Sequence, residues 1–252
     1  MKVAVTGKGG VGKSTISALL CKAFLEKGFE VLGIDADPSP HLFRLLGVKE
    51  EVTPIAEMRD FLSERAQKNG PFYTLNPKVE DIPERFMINK GNLKLMVLGA
   101  IQKAGEGCAC PEQTVLRRLL FHLLLSSKEV VIIDTEAGVE QFGRASIASV
   151  DTVLIVTQPY TGSIETTKKI LKFAEDLKIK NPLIVANGVE SQEDKDFLSK
   201  EFSGKIVEFL PKDERLLLYE RQKRSLLEYD GPVYWGIISL VEKMLGIKSP
   251  TN

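Results

Sequence analysis

Cysteine, histidine and tryptophan are scarce in this 252-residue chain, which has three, two and one of them. Three cysteines cannot build the multi-bridge framework that holds small secreted domains together. Neither histidine reads as a metal ligand: His41 follows Pro40 as a cap or surface residue, and His122 sits among apolar residues of a helical stretch. Net charge is missing as well, because 34 basic and 34 acidic side chains cancel. A broad nucleic-acid-binding surface needs a basic excess, so that class is set aside. No apolar run approaches the ~20 residues of a membrane span. Met1-Lys2 leads directly into an apolar strand, with no signal sequence ahead of it. These absences predict a cytoplasmic protein with no membrane and no nucleic-acid partner.

What is present begins with apolar side chains. At 43% hydrophobic residues, the chain can bury a sizeable core as one domain over 1–252. Its organising stretch is Gly7-Lys8-Gly9-Gly10-Val11-Gly12-Lys13-Ser14, placed between the apolar run Val3-Ala4-Val5 and a helical pattern from Thr15 to Leu20. Strand, glycine loop and helix is the setting in which G-x-x-x-x-G-K-[ST] binds nucleotide phosphates. Glycines let successive N–H groups curl around an anion, and the helix N-terminus adds unpaired donors. On this reading Gly9, Gly10, Val11, Gly12 and Thr15 cradle ATP or ADP. Lys13 reaches the β- and γ-phosphates, and the Ser14 hydroxyl meets Mg²⁺.

Other stretches fit an α/β fold, a mostly parallel doubly wound sheet with helices on both faces. The run from Glu30 to Ile34 reads as a strand ending on Asp35-Ala36-Asp37-Pro38, where either aspartate is placed to orient an attacking water or hold Mg²⁺ through water. Val130-Val131-Ile132-Ile133 is a buried parallel strand delivering Asp134 to the same edge, the Walker B pattern. Gly138 follows in a second switch, its backbone near the γ-phosphate. Further strands are read at Leu93 to Leu98, Thr152 to Thr157, Pro182 to Asn187 and Ile206 to Leu210. Helices are read at about 13–26, 112–125 and 163–177. Cys21 lies in the first of these as a small buried hydrophobe. Residues at about 39–91 form a less regular insertion, with helical patterns at about 40–46 and 55–67 and a polar loop from Asn76 to Pro83. The tail from Val233 to Leu245 has an apolar stripe without a basic face, so it reads as a core-packing helix.

Cys108 and Cys110 lie in the loop Gly105-Glu106-Gly107-Cys108-Ala109-Cys110-Pro111. A C-x-C pair offers two thiolates at one place, and soft metal sites usually close with four ligands. Two copies related by a two-fold axis would supply Cys₄. Zinc suits four thiolates by softness, and square-planar nickel suits them too. The plain alternative is two unliganded cysteines in a loop.

The string from Lys8 to Thr15, with its extra lysine, resembles the deviant Walker A motif. That group contains septum-placing and chromosome-partitioning ATPases, the nitrogenase iron protein and metallocentre-maturation ATPases. The cysteine loop, the segment Asp134-Thr135-Glu136-Ala137-Gly138-Val139-Glu140 and the stretch Asn76 to Pro83 narrow the likeness. Together they resemble the CooC-type carbon monoxide dehydrogenase maturation ATPases, from Met1 to about Gly231. The resemblance implies a homodimer around nucleotide, with Lys8 reaching the partner's phosphates. It favours Asp37, ahead of Pro38, as the residue near the attacking water. It places Asn187 against the purine base and the turn from Pro211 to Asp213 beside adenine. Gly188 stands where relatives carry lysine. The implied activity is ATP hydrolysis coupled to nickel insertion into carbon monoxide dehydrogenase or acetyl-CoA synthase apoenzyme. The rivals are an iron–sulfur reductase resembling the nitrogenase iron protein, a partition- or septum-type positioning ATPase, and a GTPase chaperone.

Overall fold

The structure, a computed structural model, describes residues 1–66, 76–100, 111–136, 149–179 and 182–246. Its sheet is built from β1 (Lys2–Gly7), β2 (Val31–Ala36), β3 (Ile88–Lys90), β4 (Leu93–Val97), β5 (Val130–Thr135), β6 (Thr152–Thr157), β7 (Leu183–Val189) and β8 (Ile206–Pro211). The strands lie in the order β3-β4-β2-β5-β1-β6-β7-β8. Among the described strands only the β3–β4 pair is antiparallel. The described helices are α1 (Lys13–Glu26), α2 (Leu42–Leu45), α3 (Arg59–Ala66), α4 (Ile82–Phe86), α5 (Pro111–Ser126), α6 (Thr161–Asp176), α7 (Gln192–Phe202), α8 (Arg215–Arg221) and α9 (Pro232–Met244).

Strand alternation divides the core between the two faces of the sheet. Val3, Val5, Val130 and Ile132 point to one side, where Leu19, Leu20 and Phe24 of α1 and Ile237 and Leu240 of α9 cover them. Ala4, Leu32, Ile34, Val131 and Ile133 point to the other, against Leu116, Leu119, Leu120 and Leu123 of α5. Both faces are buried, so the central strands read as continuous β-branched runs, not as alternating ones. Each fully buried side chain of this size stabilises the fold by roughly 1.5–3 kcal/mol. The expected doubly wound α/β architecture is therefore present. The C-terminal segment packs as expected, since Val233, Ile237, Leu240 and Val241 of α9 are all buried.

The insertion differs from the sequence expectation in several places. The pattern at about 55–67 splits into a 3₁₀ turn at Ile55–Glu57 and α3, and the one at about 40–46 shortens to α2. The loop expected to run to Pro83 ends earlier, because Ile82 and Pro83 open α4. Proline suits a first helical turn, where its missing N–H has no intrahelical partner to lose. Strand β2 carries Asp35 and Ala36 within it, and β7 continues past Asn187 to Val189. That continuation is irregular: the β7–β8 register shifts between Ala186 and Val189, and Gly188 takes a left-handed φ of 69°. A β-branched or bulky side chain there would be strained, so glycine answers a bulge.

Candidate phosphate and metal site

The loop from Lys8 to Gly12 leaves the end of β1 and enters α1 at the C-terminal edge of the sheet. In open α/β sheets this is the edge at which ligands bind. Gly12 is the N-cap of α1, with φ 95°. Its backbone angle calls for glycine, and a Cβ at this position would stand 2.5 Å from Asn187 Nδ2 and push that side chain aside. The Asn187 amide donates to the Val11 carbonyl at 2.8 Å. The residue expected to meet the base thus also braces the phosphate loop from β7.

Lys13 is only 8% exposed. Its ammonium donates to the Lys8 carbonyl at 3.3 Å, folding the side chain back over the loop. The Lys8 ammonium lies 5.3 Å from the centre of the Tyr160 ring, within cation–π reach. Tyr160 sits on a tight turn whose Gln158 N–H donates to the buried Ser163 hydroxyl at 2.9 Å. Among the described residues Lys8 forms no ion pair.

Asp134 and Asp35 stand level on neighbouring strands, in register across β2 and β5. Asp134 is fully buried, and its Oδ1 accepts from the Ser17 hydroxyl at 3.2 Å. Burial pushes its pKa up to about 6, opposed by the Ser14 hydroxyl and the Lys13 charge. Among the described residues its buried Oδ2 has no hydrogen-bond partner. An unpaired buried carboxylate oxygen is costly unless something completes it. A hydroxyl and a carboxylate beside a phosphate loop form the hard oxygen set that Mg²⁺ takes, together with water and phosphate oxygens. The residues present therefore fit that ion.

Asp37 lies in the loop after β2, half-buried, with Oδ1 accepting from Ser39 N–H at 2.9 Å. Asp35 is 2% exposed, and burial followed by the Asp134 charge pushes it up to about 7. At the far edge, β8 ends at Pro211. The Asp213 carboxylate is closed by Arg215, whose Nη2 donates at 2.7 Å, and by the Tyr229 hydroxyl at 2.6 Å. Cys108, Cys110 and Gly138 lie outside the described residues. Sequence reasoning missed Ser17, the Asn187 brace and the Tyr160 contact. Only Ser17, one helical turn after Ser14, carried any signal in its spacing.

The Asp213 cluster carries a testable pH dependence. Arg215 first, then the Tyr229 hydroxyl, hold the carboxyl at about 2, below its ordinary 3.8. A depressed carboxyl stabilises the fold above its unfolded pKa and loses that contribution as pH falls through the folded one. The Arg215 side of the pair is half exposed, so water screens it, and Asp213→Asn is expected to lose about 1 kcal/mol at pH 7, less than the ~1.4 kcal/mol per unit of the full shift. Urea unfolding of both proteins should show the gap closing between about pH 4 and pH 2. A gap independent of pH would mean that the charge is not what holds the turn.

Comparison with known proteins bears on the family and the fold. Residues 2–226 match the family described as the CobQ/CobB/MinD/ParA nucleotide binding domain. An uncharacterised ATP-binding protein of Methanocaldococcus jannaschii is 42% identical over 227 residues, covering 87% of this chain and 88% of its own. The carbon monoxide dehydrogenase accessory protein CooC of Rhodospirillum rubrum is 43% identical over 205 residues, covering 79% of this chain and 78% of its own. Among solved structures, the MinD cell division protein of Aquifex aeolicus superposes with a TM-score of 0.71 at 20% identity, covering 100% of this chain and 99% of that one. The septum site-determining protein MinD of Pyrococcus horikoshii, complexed with Mg-ADP, gives 0.70 at 19% identity, with 99% of each chain covered. These two share the fold. The chain belongs to the CobQ/CobB/MinD/ParA nucleotide-binding family and is a P-loop ATPase.

Proposed function

We propose that this ATPase couples Mg·ATP-dependent pairing of two copies to nickel binding by Cys108 and Cys110. The nickel is then delivered in the cytoplasm to a carbon monoxide dehydrogenase or acetyl-CoA synthase apoenzyme. The observation that carries the nucleotide half is the buried Asp134 Oδ2, unpaired among the described residues, beside Ser14 and Lys13. The delivery half is supported by the 43% identity to the Rhodospirillum rubrum accessory protein and by the thiolate pair in the sequence.

In this reading the loop N–H groups and Lys13 bind the β- and γ-phosphates, and Ser14 and Asp134 would hold Mg²⁺. Bound there, Mg²⁺ would neutralise charge on the β- and γ-phosphate oxygens. Asp37 orients the attacking water in line with the γ-phosphate. Asn187, braced on Val11, places its amide near the base. Lys8 leaves Tyr160 and crosses to the partner's phosphates, where a cation is worth most in a water-excluded interface. Loss of the γ-phosphate removes the contacts ordering the segments after Asp37 and Asp134, and the pair relaxes. Nickel is the cargo. Cys108 and Cys110 of the two copies are its four ligands when the pair is closed, with zinc the competing occupant.

Light scattering tests the pairing. Mass should double with Mg·ATP and return with ADP. Lys8→Ala should keep nucleotide binding and lose most of that doubling. A monomer mass unresponsive to nucleotide, with or without nickel, refutes the reading.

A further inference from the structure

The two carboxylates side by side at the sheet edge have different surroundings. Among the described residues Asp134 keeps an unpartnered oxygen. Both oxygens of Asp35 turn instead to the backbone of its own following loop. Oδ2 accepts from Leu42 N–H at 2.8 Å, and Oδ1 receives the Asp37 N–H in a longer contact of 3.5 Å. Those two residues bound the segment 37–42, which contains Pro38 and Pro40 and so lacks two of the backbone donors that would otherwise knit a loop together. Leu42 is also the first residue of α2. The Asp35 backbone is pinned in turn, its carbonyl accepting from Leu98 N–H at 2.8 Å and from Gly99 N–H at 3.2 Å.

We infer that Asp35 is a positioning residue: it clasps the loop 37–42 at both ends and fixes where Asp37 stands, without itself touching nucleotide or metal. The clasp rests on the proposed role of Asp37 at the γ-phosphate. A group of this kind acts on the chemical step through geometry. Small misplacements of a catalytic group cost up to about a hundredfold in rate without a matching loss of binding. Asparagine at position 35 keeps an acceptor for the short Leu42 N–H bond and gives up only the longer contact to Asp37 N–H, where its NH₂ would stand, whereas alanine keeps neither. A metal ligand or general base would tolerate neither change.

The test uses steady-state ATPase kinetics, nucleotide affinity and thermal melts on Asp35→Ala, Asp35→Asn, Asp37→Ala and the double variant Asp35→Ala with Asp37→Ala. Asp35→Ala is expected to lower kcat about 10- to 100-fold, with KM and nucleotide Kd within about twofold. Asp35→Asn should recover kcat to within about threefold of the parent. The double variant should be no slower than Asp37→Ala alone, because the effect of Asp35 runs through Asp37. A loss in Asp35→Asn as deep as in Asp35→Ala overturns the clasp, as does a fall in affinity that tracks kcat, or multiplicative losses in the double variant. If Asp37→Ala hydrolyses ATP at the parental rate, the role assigned to Asp37 falls, and the clasp falls with it. That outcome is read on the single variant, separately from the others. Should Asp35→Ala fail to fold, folded Asp35→Asn decides: kcat within about threefold supports the clasp, and a tenfold or greater loss overturns it.

Discussion

Lys13→Ala is expected to abolish ATP hydrolysis, with a loss in kcat of about 10³-fold or more. That scale belongs to charged groups aimed at oxygens that gain charge in the transition state. The geometry explains why no neighbour can substitute. Lys13 is held over the loop by its bond to the Lys8 carbonyl and is nearly buried. The Lys8 ammonium lies on Tyr160, away from the loop's closure. Lys13→Arg is expected to rescue little, because a planar fork does not replace a point charge in a tight cradle. Turnover of Mg·ATP by purified Lys13→Ala near the parental rate would refute the phosphate-loop assignment. A control melt should show that the variant still folds, since the core beneath the loop is built from Val3, Val5, Ile16 and Leu19 and not from the lysine.

The second large effect concerns metal. Cys108→Ser with Cys110→Ser is expected to remove stoichiometric nickel or zinc while leaving nucleotide affinity nearly unchanged. Serine keeps the shape of cysteine and loses the soft thiolate that these cations take. Cys21 cannot stand in for the pair. It is fully buried in α1, and burial, followed by the Asp134 charge, raises its pKa far above the ordinary thiol value, so it stays protonated. Metal content measured by elemental analysis in parent and variant decides the point. Equal content in the two would remove the C-x-C pair from the account.

The sequence was most legible where local pattern and burial agree. Runs such as Val130 to Ile133 and Thr152 to Thr157 are buried on both faces, so their composition declares them. The step from Val5 through the glycine loop to Ile16 fixes strand, turn and helix together. Lys13, Ser14 and Asp134 could be named before their proximity was known, because each ends or opens one of these elements. The insertion was harder to read. Strand β3, at Ile88–Lys90, is short and exists because β4 pairs with it antiparallel. Helix α8 fully buries none of its residues; Leu216 and Tyr219 pack against the core while Leu217 and Leu218 stay exposed, so its run of leucines shows no clean helical period. The missed site contacts share one cause. That Asn187 donates to Val11, that Asp35 turns to Leu42, and that Lys8 rests on Tyr160 are all matters of side-chain direction, set by tertiary neighbours and invisible to spacing.

Nickel counted per subunit, on protein loaded with nickel and Mg·ATP and freed of excess metal, decides whether two copies share one cation. A four-thiolate site shared between two copies predicts about one half per subunit, found in the species of doubled mass. One nickel per subunit on monomeric protein, or none at all, would contradict it.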